Sequence, residues 1–104
     1  MKKFDHIRPS QLVKWEATPL TRVDVSAEIG TKAGTFVSYP LRGKKYIALT
    51  DEVNGKVSIQ PHNCVIDLTE IPSAAIDAAR TNLETMRSED DAHGIVYIGT
   101  PKSA

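Results

Sequence analysis

Two alternating apolar runs meet at Asn54-Gly55 within the segment Lys45 to Gln60, KYIALTDEVNGKVSIQ, and no other stretch narrows the fold as far. Asn and Gly adopt positive φ with little strain, so the pair marks a tight reversal between antiparallel strands. The apolar positions then choose the register. A two-residue loop would set Val57 opposite Glu52 and Ile59 opposite Thr50, apolar against polar on both rungs. A three-residue loop, Val53-Asn54-Gly55 with Gly55 left-handed in a G1 bulge, pairs Glu52 with Lys56, Asp51 with Val57 and Leu49 with Ile59. A one-residue slip exchanges the faces of a strand, so the pattern favours the three-residue loop. Ile47, Leu49, Val57 and Ile59 are expected to point inward, and Tyr46, Ala48, Lys56 and Ser58 outward.

Upstream, Pro9 and the apolar Leu12, Val13 and Trp15 predict a short N-terminal helix over Arg8 to Glu16, ended by Thr18-Pro19. Leu20 to Ile29 alternates cleanly, with Val23, Val25, Ala27 and Ile29 on one face, as a half-buried strand does. Gly30 to Gly34 reads as a turn. Thr35 to Leu41 reads as a strand that Pro40 confines to an edge or an end. Inward parity is odd at Val57 and Ile59 but even at Cys64, Ile66 and Leu68, so the chain must turn across Pro61-His62-Asn63.

One amphipathic helix is expected over Thr69 to Glu89, with Ile76, Ala79, Leu83 and Met86 as its apolar stripe. The acids of Ser88 to Asp91 sit at its carboxyl end, where the helix dipole disfavours them, which predicts fraying there. Ile95-Val-Tyr-Ile98, apolar on both faces, predicts an interior strand with a partner on each side, and Thr100 to Ala104 a loose tail. The expected fold is α+β: an antiparallel twisted sheet or partly open small β-barrel of five to six strands, with one C-terminal helix packed over it.

At 104 residues, 40% hydrophobic and 25% charged, the chain is expected to form one domain over residues 1–104 and to carry no membrane span. MKKFDHIRPS lacks the apolar core of a secretory signal, and the single Cys64 allows no internal disulfide. A cytoplasmic setting follows as the expectation. Net charge is zero, yet residues 1 to 45 carry nine Lys or Arg against four Asp or Glu, and residues 46 to 104 carry four against nine. Folding can bring these halves together and erase the asymmetry.

His62-x-Cys64 is the first pair to weigh for chemistry. A zinc site needs three or four ligands, the remaining histidines are His6 and His93, and the spacing fits no zinc pattern. Cys64 opens an apolar strand and reads as a buried thiol. Gly30-Thr-Lys-Ala-Gly-Thr35 lacks the Gly-Lys-Ser/Thr ending of a phosphate loop and reads as a turn. Asp51-Glu52 and Glu89-Asp90-Asp91 lack calcium-loop spacing. Trp15 reads as a lid on the core.

Tyr39, Arg42, Lys44, Lys45 and Tyr46 form the candidate partner-binding surface, basic groups beside aromatic rings at a sheet edge. No catalytic residue, metal or cofactor is assigned. The leading expectation is a non-enzymatic binding module that acts through a protein partner as an accessory, regulatory or inhibitory protein. The alternatives are a small nucleic-acid-binding β-barrel, whose bases would stack on Tyr39 and Tyr46, and a small-ligand-binding protein or enzyme with a pocket near His62 and Cys64.

Overall fold

Residues 7–103 are described by the computed structural model. A single helical turn, α1 (Pro9–Leu12), passes directly into strand β1 (Val13–Glu16), so the helix expected over Arg8 to Glu16 is confined to its first turn and its second half is a strand. After a 3-10 turn at Pro19–Thr21 come β2 (Val23–Ser26), β3 (Phe36–Tyr39), β4 (Lys44–Ile47), β5 (Lys56–Ile59) and β6 (Cys64–Asp67). Two helices, α2 (Ser73–Arg80) and α3 (Leu83–Asp91), lead to β7 (Ile95–Ile98). The fold is α+β. Its strands form a three-stranded sheet ordered β1-β6-β7 and two antiparallel pairs, β2-β5 and β3-β4, rather than one antiparallel sheet or a closed barrel.

The central hairpin departs from its expected register. Val53 and Lys56 exchange backbone bonds at 2.9 and 3.1 Å, and Asn54 (φ 54°) and Gly55 (φ 78°) are both left-handed, so the loop is the two-residue turn. Glu52 does not pair with Lys56. Its carboxylate accepts the N–H groups of Gly55 (2.6 Å) and Gly30 (3.1 Å), while Asp51 Oδ1 accepts from Ala33 N–H (2.9 Å). These two acids tie the 30–34 loop to the turn and interrupt the ladder. The strands therefore change partners: β5 runs along β2, with Val23 opposite Ile59 and Val25 opposite Val57, and β4 runs along β3. Ile47, Leu49, Val57 and Ile59 are buried as expected, but so are Tyr46 and Ala48, because this segment is covered on both faces.

The expected single C-terminal helix is two. Thr81 adopts φ 76° and Asn82 caps α3 by accepting Thr85 N–H at 2.8 Å. Ile76 and Met86 both reach the core, so the apolar stripe survives the break. Downstream, α3 continues through Asp91 without fraying at Ser88, because Asp90 is turned into the core and paired there.

The parity flip after Ile59 is a true corner. Bends at His62 and Asn63 (φ 39°) separate β5 from β6, and Cys64, Ile66 and Leu68 all point inward. The α2-α3 crossover returns the chain so that β7 lies parallel to β6, with Cys64 opposite Ile95 and Ile66 opposite Tyr97. β7 is therefore an edge strand, not an interior one. Ile95 and Tyr97 are buried, and Val96 and Ile98 face solvent. The tail is tied down as well: Lys102 N–H donates to Ile71 C=O and Ser73 N–H to Lys102 C=O, both at 2.9 Å.

Candidate functional site

The reversal between β3 and β4 places Arg42 over two rings. Its guanidinium carbon lies 5.6 Å from the Tyr39 ring centre and 5.5 Å from that of Tyr46, within cation-π range, and the two rings meet edge to face at 5.8 Å. Arg42 also donates to the Tyr46 hydroxyl (3.0 Å) and to the Pro61 carbonyl (2.8 Å), fastening this corner to the β5–β6 corner. Four of the five sequence-predicted residues change meaning here. Tyr39 and Tyr46 are only 6% and 3% exposed, so neither presents an open ring face, and Arg42 and Lys44 are half-buried. Lys45 alone of the five is exposed, and it lines an open groove of about 360 Å³ together with Phe36, Pro72, Ala75 and Ala79.

Beneath Tyr46 lies a charged network that the sequence did not suggest. Arg80 grips Asp90 through two parallel bonds, Nη2 to Oδ1 at 2.7 Å and Nη1 to Oδ2 at 3.0 Å, and also donates to the Lys45 carbonyl at 3.0 Å. The Tyr97 hydroxyl donates to Asp90 Oδ2 at 2.5 Å and the Tyr46 hydroxyl to Oδ1 at 3.4 Å. Arg80 stands 5.1 Å from the Tyr46 ring centre, so Tyr46 contacts both arginines. Burial pushes the Tyr97 phenol well above its ordinary value, and the neighbouring Asp90 carboxylate adds to the shift. Tyr46 is raised mainly by burial too. For Arg80, burial works downward, but the hydrogen bond and charge of Asp90 outweigh it and the shift is upward. Each polar atom is satisfied, so the network holds β4, α2, α3 and β7 together.

His62 and Cys64 do not share an open cleft. Cys64 is fully buried and its thiol faces the Gln60 carbonyl at 3.6 Å. Burial, with the charges of Glu16 and Asp90, pushes the thiol up to about 12, far from the thiolate a nucleophile needs. His62 lies 3.5 Å from an Arg42 nitrogen, and burial together with the charges of Arg42 and His93 holds it below its ordinary value. Among the described residues no three His, Cys, Asp or Glu side chains gather in a metal-binding group; His6 lies outside those residues.

Among the described residues Leu20, Ile29 and Leu41 are the most exposed large apolar side chains, but the outer face of the three-stranded sheet carries apolar side chains in neighbouring register positions. Trp15 lies opposite Val65, and Val65 opposite Val96, forming one row across three strands; Ile98 extends it beside Asp67. Trp15 is 57% exposed, Val96 49% and Ile98 41%, and Val65 is half-buried. Trp15 is therefore not the expected core lid, because the irregularity between Val13 and Trp15 turns its ring to the side away from Ile66. The sequence signal was the apolar-on-both-faces pattern of Ile95 to Ile98, which reads equally as a strand buried twice or as one with an uncovered face. Among the described residues no helix is long and apolar enough to cross a membrane. Comparison with protein-family models, with curated proteins and with solved structures gives no match.

Proposed function

We propose that the protein is a non-enzymatic binding module that acts through a protein partner, in an accessory, regulatory or inhibitory role, and that the partner covers the outer face of the β1-β6-β7 sheet. The observation that carries this reading is the apolar row Trp15, Val65, Val96 with Ile98 beside it, in which Trp15, Val96 and Ile98 are exposed on one face of the sheet. Contiguous exposed apolar surface on a soluble fold marks interaction sites, and tryptophan is the residue most enriched at their energetic centres. Lys44, Lys45 and the half-buried Arg42 make a second, basic contact region, with Tyr39 and Tyr46 acting as the rigid base beneath Arg42 rather than as contacts. Their burial also takes away the stacking surface on which a nucleic-acid reading rested.

The test is comparative capture from a lysate of the source cell. Protein retained by the wild type is expected to be lost with Trp15→Ala and kept with an exposed control, Glu84→Ala. Equal retention by Trp15→Ala and wild type would remove the sheet face from the proposal.

A further inference from the structure

Among the described residues no strand lies on the outer edge of β7. In a parallel pair, alternate residues give both backbone groups to the same neighbour. The bonds Cys64 N–H to Gly94 C=O (3.1 Å) and Leu68 N–H to Ile98 C=O (2.8 Å) show that the even-numbered residues of β7 face β6. Ile95 and Tyr97 therefore turn their N–H and C=O groups away from the sheet. Among the described residues the side-chain hydrogen bond to these groups is from Arg87 of α3, whose Nη2 donates to the Tyr97 carbonyl at 3.4 Å. The usual safeguards of an edge strand are otherwise missing: Ile95 to Ile98 contains no lysine, no proline and no bulge.

We propose that two copies of this chain pair antiparallel, β7 to β7, about a two-fold axis through Val96. The edge is self-complementary in that register. Ile95 falls opposite Tyr97 of the copy, and the two exchange backbone bonds on each side of the axis, about four bonds in all. Parity is preserved across the junction. Ile95 and Tyr97 stay on the covered side, while Val96 meets Val96 of the copy on the outer face, an apolar pair at the closest rung. The two three-stranded sheets become one continuous sheet, and its uncovered apolar face doubles.

That doubling matters for size. Three strands spaced about 4.8 Å apart, each four residues long at about 3.3 Å per residue, present a plane of roughly 190 Å², about a quarter of the ~800 Å² each side contributes to a standard protein interface. Joining two copies enlarges the platform without any new element. The pairing uses the edge of the sheet and leaves its face open, so it is tested apart from the partner proposed above.

Sedimentation equilibrium of the full chain, from about 10 μM to about 1 mM, is the measurement. The mass is expected to rise from 11.4 kDa toward twice that value. Val96→Lys sets two ammonium groups opposite each other at the axis and is expected to weaken association by about tenfold or more. Arg87→Ala uncovers the Tyr97 carbonyl and is expected to strengthen it by a few-fold, a gain that misfolding would not produce as a discrete dimer. A mass fixed at 11.4 kDa throughout overturns the proposal. So does a dimer indifferent to either substitution, since a face-to-face dimer would ignore Arg87 and a dimer formed elsewhere would ignore Val96.

Discussion

Arg80 and Asp90 meet at 2.7 Å in the core because the chain is not one helix between them. In a straight helix, ten residues would separate them by about 15 Å on different faces. The break at Thr81-Asn82 folds α3 back beside α2 and brings the two charges together, where Tyr46 and Tyr97 complete the shell of Asp90. Asp90→Ala removes the buried, two-bonded counter-charge of Arg80 and leaves only the more exposed Glu89 carboxylate at 3.2 Å, and is expected to cost about 3 kcal/mol in urea unfolding. A loss below about 1 kcal/mol would mean that the pair is solvated and does not hold the two helices.

Stability is expected to fall on the alkaline side. The Cys64 thiol and the Tyr46 and Tyr97 phenols are neutral when protonated, and burial raises all three in the fold, the thiol from 9.0 to about 12 and the phenols from 10.0. A group raised in this way contributes fully below its unfolded value, and its contribution is lost as pH climbs toward the folded value. Unfolding free energy should therefore decline from about pH 9 upward. A flat profile between about pH 9 and pH 11 would contradict the burial of all three groups.

Two glycines with similar backbone angles should differ in tolerance. Gly55 (φ 78°) has open space where a Cβ would stand, so Gly55→Ala is expected to cost only the strain of positive φ, about 1 kcal/mol. At Gly94 (φ 74°) a Cβ would fall on Asn63 Oδ1 and within 3.3 Å of the Asn63 Cα, at the corner that starts β6. Gly94→Ala is expected to cost clearly more in the same unfolding assay. Equal costs would show that the corner yields freely.

Much of the architecture is written in local pattern. The Asn54-Gly55 reversal, the inward set Ile47, Leu49, Val57 and Ile59, and the corner announced by the parity change at Pro61 depend on neighbours a few residues away, and each stands in the structure. The hairpin register failed because Asp51 and Glu52 take partners in the 30–34 loop, about twenty residues off, which no cross-strand pairing rule anticipates. Asp90 looked like an exposed helix end for a similar reason: its burial depends on Arg80, Tyr46 and Tyr97 arriving from three other elements. At the candidate site, the cluster Tyr39, Arg42 and Tyr46 was legible as a cluster but not as a buried one. The Trp15 row was illegible because its members come from β1, β6 and β7, and only the parallel crossover brings β7 alongside.

Trp15 offers the most direct test of the proposed docking face, since it is the single tryptophan of the chain and stands on that face. With 5-fluorotryptophan incorporated, one fluorine resonance reports its surroundings, and the difference between its positions in H₂O and D₂O measures contact with solvent. The free protein is expected to show a large solvent shift, which collapses as the captured protein partner is added to saturation. A resonance that keeps its position and its full solvent shift in the saturated complex would contradict the sheet face as the site of binding.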